Sequence, residues 1–490
     1  MQRLNSARLT GLAPAVAIPA YDRQSVTAGI VHIGIGAFHR GHMAVYIDDM
    51  LATDPSWGIV GASVRRPDTK AALAPQDYLY SVTARDAEGA QTRVVGSVID
   101  ILDASQDTQP LITRMADPAI RIFSLTVTEK GYCHDSASGH LLAHHPDIIH
   151  DLSHPNQPRS VPGIIVAALE RRRAHGRPGV TVLSCDNLQG NGQIARRTVL
   201  EFARLWNASL ADWIEANVSF PSTMVDRIVP ALSASDKDDV GEILGFEDAW
   251  PVITEPFSQW VVEDDFAAGR PDLASAGVQL VADVEPFELM KLRMLNGSHS
   301  TIAYLGQLAG YDFVSTSVEN DTIRSLLFAL MSQEVIPTLD VPGIDLEDYR
   351  DRLLKRFSNP ALQHRCAQIA MDGSQKLPQR ILMPIRERLE NGQSIELLCL
   401  TLAGWIAYLA RTVRNEETLS DPLAERLQQA VRGSTDIASL VAAIFSITEI
   451  FGEDLADVAL VREPVERHVA LLEAEGVEPA ITAALARAGS

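Results

Sequence analysis

The chain has 490 residues, enough for two domains with a full core each. Its 42 Lys and Arg against 63 Asp and Glu give a net charge of −21, a surface that repels nucleic-acid phosphates, so no nucleic-acid partner is expected. The four cysteines (Cys133, Cys185, Cys366 and Cys399) lack the Cys-x-x-Cys spacing of a zinc or redox site and fit free thiols in a reducing, cytoplasmic setting.

At the start, Arg3 and Arg8 precede the apolar stretch Gly11 to Ala20, which faintly mimics a signal peptide. It is short, carries two prolines and runs straight into Tyr21-Asp-Arg, so it reads as a leader strand or loop. No uninterrupted apolar run reaches the roughly 18 residues that span a bilayer, and no membrane partner is expected.

Gly29 to Ile33 then reads as a buried strand, followed by the turn Gly34-Ile-Gly36 and a helical stretch through Met50. Trp57 to Val64, Ile120 to Val127 and Val180 to Ser184 are further apolar, β-branched runs. Between the last two, Val161 to His175 has helical spacing. Strands alternating with helices predict an α/β domain with a mostly parallel sheet covered on both faces.

From about Glu285 the pattern changes to long helices joined by short polar loops. Thr322 to Val335, Leu346 to Phe357, Ser394 to Val413, Leu423 to Val431, Asp436 to Phe451 and Val465 to Ala488 all have helical spacing. The domains expected are therefore 1–284, α/β, and 285–490, mainly α-helical.

Two segments carry chemistry. Gly34-x-Gly36, after a strand and before a helix, is the start of a dinucleotide fingerprint, in which glycine lets the backbone approach a pyrophosphate at a helix N-terminus. The third glycine position is taken by His39, with Gly41 two residues later. Past the second strand, Arg65-Arg-Pro-Asp68 offers an acid for the ribose hydroxyls of NAD and arginines for the extra phosphate of NADP, and leaves that choice open.

The second segment is Lys291-Leu-Arg-Met-Leu-Asn296-Gly-Ser-His299. On a regular α-helix, at about 100° per residue, Lys291, Asn296 and His299 fall within an arc of roughly 140°. They can face one pocket, where a desolvated Lys is a base, an Asn a donor to an alkoxide and a His an orienting group. The alternative is a helix with three polar residues on its wet side.

Four stretches together resemble the mannitol dehydrogenase family of polyol-specific long-chain dehydrogenases and reductases: Gly34 to His42, Ser184-Cys-Asp-Asn187, Phe220 to Pro230 around Val-Asp-Arg, and Lys291 to His299. The resemblance implies a Rossmann-type N-terminal domain, a mainly α-helical C-terminal substrate and catalytic domain, and an active site in the cleft between them. It implies NAD(H), no metal, and interconversion of a secondary alcohol and a ketone of a small-molecule sugar acid or polyol by a monomer or weak homo-oligomer. Ser124 to Cys133, Lys291 to Ser300 and Gln368 to Arg380 are most similar to members acting on D-fructuronate and D-mannonate. Mannitol or D-arabinitol dehydrogenation is the alternative on the same scaffold.

By the same resemblance, Lys291 is the general acid and base, Asn187 and Asn296 bind the reacting oxygen, and His299 orients the substrate. Asp226 and Lys376 bind substrate, while Arg227 is expected to make a structural salt bridge. Glu129 and Glu288 form a proton relay. Gly34, Ile35, Gly36, Ala37, Phe38, His39, Arg40 and Asp68 hold the cofactor. Where mannitol dehydrogenases tend to carry Arg, this chain has Gln368, with His364, Arg365 and Arg380 nearby. A uronate needs a cation, ideally a guanidinium, and a polyol needs only hydroxyl partners.

Overall fold

The computed structural model describes residues 1–135, 138–456 and 458–489. The chain divides into two compact units, Met1–Glu285 and Pro286–Ser490.

Among the described residues the first unit holds eleven strands: β1 (Ala28–Ile33), β2 (Gly58–Ser63), β3 (Tyr80–Asp86), β4 (Gly89–Val95), β5 (Val98–Asp103), β6 (Ile122–Leu125), β7 (Thr181–Ser184), β8 (Thr223–Asp226), β9 (Val252–Thr254), β10 (Gln259–Glu263) and β11 (Gln279–Val281). Five form a parallel sheet in the order β5-β2-β1-β6-β7. Chain direction across the sheet reverses between β1 and β6, so the ends of these two strands form a topological switch point, the place where open α/β sheets bind ligands.

The period of two sorts the side chains of the sheet. Ile30 and Ile59 pack into one layer with Met43, Ile47 and Trp57. Val31, Ile33, Val60 and Ala62 pack into the other with Ile112, Ile164 and Val199. Because both layers are closed, β1 reads as an apolar run broken only by the buried His32. Two smaller sheets, β11-β10-β8 and β4-β3-β9, complete the unit and lie outside the simple strand and helix alternation expected.

The stretch after the turn is two helices, Ala37–Gly41 and Met43–Met50, broken at His42, whose φ of −126° and ψ of −94° leave the helical region. The break places the His42 Nε2 2.9 Å from the Gln259 carbonyl on β10.

In the second unit the described residues form helices, and the pairing of Phe313 with Arg365 is an isolated bridge. The segment from Asp436 is two helices, Ile437–Phe445 and Thr448–Leu455. The last segment begins earlier than its apolar spacing indicated and is also two, Ala459–Ala474 and Val477–Ala488, separated at Gly476 with φ +89°. Glu396–Arg414 is long and apolar enough to cross a bilayer by length and composition. Here it is the core helix, with Leu398, Leu402, Trp405 and Ile406 buried against Gly297–Ala309 and Ala459–Ala474.

Among the described residues three π-helical segments depart from the regular pattern: Lys291–Asn296, Leu330–Val335 and Pro378–Leu382. The first packs against the other two. Single π turns of this kind are frequent at functional sites.

Candidate active site

In the first unit the turn after β1 is shaped by Gly34, at φ +95°. A β-carbon there would lie 2.2 Å from the Thr126 carbonyl oxygen, so only glycine lets β1 and β6 end side by side. Ile35 turns inward and fills the space over Gly61, where a β-carbon would meet it at 2.2 Å. Gly36 and Ala37 are exposed, and a β-carbon on Gly36 would find nothing nearer than 3.8 Å. The exposed backbone at Gly36 and Ala37 leaves room for a dinucleotide phosphate at the switch point, and the Gly36 N–H itself donates to the Gly34 carbonyl at 2.6 Å.

The rest of the fingerprint segment turns into the protein. Phe38 stacks on His42 at 5.1 Å. His39 is fully buried and lies on His32, while His32 bonds Ser124 and Thr126 through its two ring nitrogens, each at 2.9 Å. Neither His39 nitrogen has a hydrogen-bond partner, and burial holds this ring well below the ordinary histidine pKa, hence neutral. Arg40 is buried, donates to the Trp250 carbonyl and lies 5.1 Å from the Tyr80 ring centroid. Asp68 is exposed at the start of the helix Asp68–Leu73.

Beside this turn, the ends of β6 and β7 carry a second group of residues. Asp186, buried, accepts from Val127 N–H (3.1 Å), Thr128 N–H (2.7 Å) and Tyr132 O–H (2.6 Å). Glu129 is exposed on the turn Glu129–Tyr132. Asn187 is exposed directly after Asp186. Sequence reasoning named Asn187 and Glu129 but missed Asp186. The available signal was an acid at the C-terminal end of a parallel strand, where loop N–H groups need an acceptor. Asp226 is buried at the end of β8, opposite Gln259. Arg227 donates to the carbonyls of Gly41 (2.6 Å) and Glu255 (3.2 Å), tying the fingerprint helix to the strand.

In the second unit the expected regular helix over Lys291 to His299 is a π turn followed by the α-helix Gly297–Ala309. Gly297 N–H bonds Leu292 C=O, five residues back. A wider turn of this kind brings residues five apart, Lys291 and Asn296, nearer to one line along the axis than the roughly 140° of an α-helix. Lys291 and His299 are buried and Asn296 half-buried. The His299 ring lies 4.9 Å from Phe357 and 5.1 Å from His364. His299 Nε2 and His364 Nδ1 are buried without a hydrogen-bond partner. Burial, then His364 and the cations Arg380, Arg356 and Lys291, hold the His299 pKa well below its ordinary value.

Arg380 donates to the Asn296 carbonyl and to Ser300 Oγ, each at 3.2 Å, and burial pushes its pKa down to about 10, so it stays charged at neutral pH. The structure thus gathers Lys291, Asn296, His299, His364 and Arg380, and adds Arg356. Lys376 donates to the Ile369 (3.2 Å) and Met371 (2.6 Å) carbonyls. Arg365 is exposed, its guanidinium 5.1 Å from the Phe313 ring centroid. Glu288 is half-buried on the helix Glu285–Met290 that leads into the π turn. The four cysteines are buried thiols.

Residues 28–275 match the family description "Mannitol dehydrogenase Rossmann domain", and residues 283–472 match "Mannitol dehydrogenase C-terminal domain". The chain is 45% identical to D-mannonate oxidoreductase of Escherichia coli K12 over 448 residues, 90% of this chain and 92% of that one. It is 42% identical to mannitol 2-dehydrogenase of Phaeosphaeria nodorum over 468 residues, 93% of this chain and 81% of that one. Its fold matches Pseudomonas fluorescens mannitol 2-dehydrogenase, solved in ternary complex with NAD and D-mannitol, with TM-score 0.87 and 42% identity, covering 99% of this chain and 100% of that one.

Proposed function

The chain belongs to the mannitol dehydrogenase family, and from that premise we propose that it is an NAD(H)-dependent sugar-acid dehydrogenase reducing D-fructuronate to D-mannonate. The observation that carries the substrate class is Arg380. Its guanidinium is built onto the same turn as Asn296 and Ser300, beside His299. A carboxylate makes a charge-assisted pair with a desolvated cation there that is stronger than any bond a polyol hydroxyl makes. The relative named D-mannonate oxidoreductase supports the same choice.

When bound, NAD(H) supplies or takes up the hydride. Lys291 Nζ gives a proton to the ketone oxygen during reduction and removes it from the hydroxyl during oxidation. The Asn187 and Asn296 carboxamides donate to that oxygen as it gains charge, each contributing about 3 kcal/mol by comparison with oxyanion holes. His299, neutral through burial, accepts from or donates to a neighbouring hydroxyl and fixes the sugar chain. Asp226 accepts from other hydroxyls, and Glu129 and Glu288 pass the proton between Lys291 and water. The open backbone at Gly36 and Ala37 carries the cofactor phosphates, and Asp68 takes the ribose hydroxyls.

The runner-up substrate class is a polyol, favoured by the relatives named mannitol 2-dehydrogenase. The deciding test is NADH oxidation by the purified chain with D-fructuronate or D-fructose, with NADPH alongside. A kcat/KM at least 100-fold higher on fructuronate with NADH is expected, and preference for fructose overturns the sugar-acid reading while leaving the family intact.

A further inference from the structure

Thr128 holds the least favourable backbone conformation around the candidate site. Its φ of +63° and ψ of +167° lie in a region essentially reserved for glycine, and Thr is β-branched. Such a conformation persists only where surrounding bonds over-determine it. Here the over-determining group is Asp186. Its Oδ1 accepts from Thr128 N–H at 2.7 Å, and its Oδ2 accepts from Val127 N–H at 3.1 Å and Tyr132 O–H at 2.6 Å. Tyr132 O–H is also 2.6 Å from Ser184 Oγ, so the carboxylate sits in a buried knot joining the ends of β6 and β7. Thr128 immediately precedes Glu129.

The backbone of the same residue works on the other side. The Asp186 carbonyl accepts from Leu188 N–H at 2.9 Å, closing a three-residue turn with Asn187 at its tip. It also accepts from Asn191 Nδ2 at 2.9 Å, and that amide donates onward to the Thr223 carbonyl at 2.8 Å.

We propose that Asp186 is a positioning residue that presents two neighbours at once, holding Glu129 through the strained Thr128 and Asn187 through the turn its carbonyl closes. The proposal rests on the dehydrogenase reading above, in which Asn187 meets the reacting oxygen and Glu129 moves protons. A carboxylate is required because all three side-chain partners are donors. An amide at this position turns an NH2 group toward one of them, and Thr128 relaxes out of its strained region.

The test compares the whole chain with Asp186→Asn and Tyr132→Phe, using D-fructuronate and NADH, together with hydrogen exchange. For Asp186→Asn, kcat falls about 100-fold, the scale of a small misplacement of reacting groups, while NADH affinity changes less than about threefold. Exchange at Val127 and Thr128 accelerates while β1 and β6 stay protected, and the pH profile of kcat changes shape because Glu129 has moved. Tyr132→Phe removes one of the three donors, keeps the ring in the core, and gives a smaller fall in kcat with unchanged NADH affinity. It decides the matter should Asp186→Asn not fold. A kcat within about threefold of the unaltered chain in both variants overturns the proposal, as does loss of protection across the whole sheet. Failure of the sugar-acid reading looks different: the unaltered chain itself does not turn over fructuronate. The exchange pattern then decides alone, with localised acceleration at Val127 and Thr128 supporting the positioning role and its absence overturning it.

Discussion

The imidazole of His39 lies flat on that of His32, ring centroids 3.3 Å apart and planes 13° from parallel. The pair fills the position where a dinucleotide fingerprint ordinarily has its third glycine. It replaces close helix-to-strand packing by ring-on-ring packing under the turn. Stacking at this distance tolerates two neutral rings, and a proton on either would leave a buried charge with no counter-ion.

That fixes a pH dependence of stability. Burial pushes the His32 pKa from 6.5 down to about 3 in the folded chain. Between these values the unfolded chain binds the extra proton and the folded chain does not, so stability rises with pH. The contribution is complete above the unfolded pKa and is lost as pH falls toward 3, at about 1.4 kcal/mol per pH unit. Chemical denaturation of the unaltered chain and His32→Asn between pH 7.5 and 4.5 measures it. The variant is expected to show the shallower slope, and equal slopes would show that the pair does not titrate as described.

Two glycines of the turn separate fold from cofactor binding. Gly34→Ala puts a β-carbon 2.2 Å from a carbonyl oxygen at a positive φ, and is expected to destabilise the first unit by roughly 3 kcal/mol. Gly36→Ala meets no atom within 3.7 Å, because its nearest neighbour would be at 3.8 Å. It is expected to leave the melting temperature unchanged yet weaken NADH binding at least tenfold, about 1.4 kcal/mol, by covering the backbone that faces the phosphates. Fluorescence titration beside a thermal melt checks both. Unchanged NADH affinity in Gly36→Ala would move the phosphate site elsewhere.

How much of this was legible in the sequence follows from the physics of each signal. The parallel sheet was readable because strands buried on both faces are nearly continuous apolar runs, as in Gly29 to Ile33, where His32 alone is polar. The hairpin of β3 and β4 was not, since Thr83, Arg85, Gln91 and Arg93 dilute its apolar alternation. Leu346–Phe357 matches its predicted span because an acidic cap at Asp345 and a clean amphipathic face mark both ends. The π turn at Lys291–Asn296 left no trace, because one extra residue per turn barely alters which positions are apolar. Asp186 was hidden by its neighbour: a motif draws attention to Asn187, while the strain that makes Asp186 necessary is a property of Thr128, about 60 residues away in the chain.

In the proposed mechanism Lys291 and Asn296 divide the chemistry between proton transfer and charge stabilisation. Lys291→Ala is expected to lower kcat about 1,000-fold or more, within the range of general acid–base catalysis. Asn296→Ala removes one donor to the reacting oxygen and is expected to cost about 100- to 1,000-fold in kcat. Neither should raise the KM for NADH more than about threefold. Single-turnover reduction of fructuronate reads the chemical step directly, and a Lys291→Ala chain retaining a tenth of the native rate would require another acid.

Substrate class is read from the ratio of two activities. Arg380 braces the Asn296 carbonyl and Ser300, so replacing it lowers turnover of any substrate to some extent. A charge-assisted bond to a carboxylate adds a loss that only a sugar acid suffers, about 2 kcal/mol or roughly 30-fold. Arg380→Met is therefore expected to reduce kcat/KM for D-fructuronate about 30-fold more than for any polyol or ketose the chain accepts. Arg365→Ala, an exposed guanidinium resting on Phe313, is expected to change neither substrate more than about twofold. Lys376→Met frees the carbonyls of Ile369 and Met371 and is expected to loosen that loop and raise KM for both substrates alike. If Arg380→Met lowers both activities by the same factor, its role is to brace Asn296, and the carboxylate must be met by another of the cations around His299, Arg356 first.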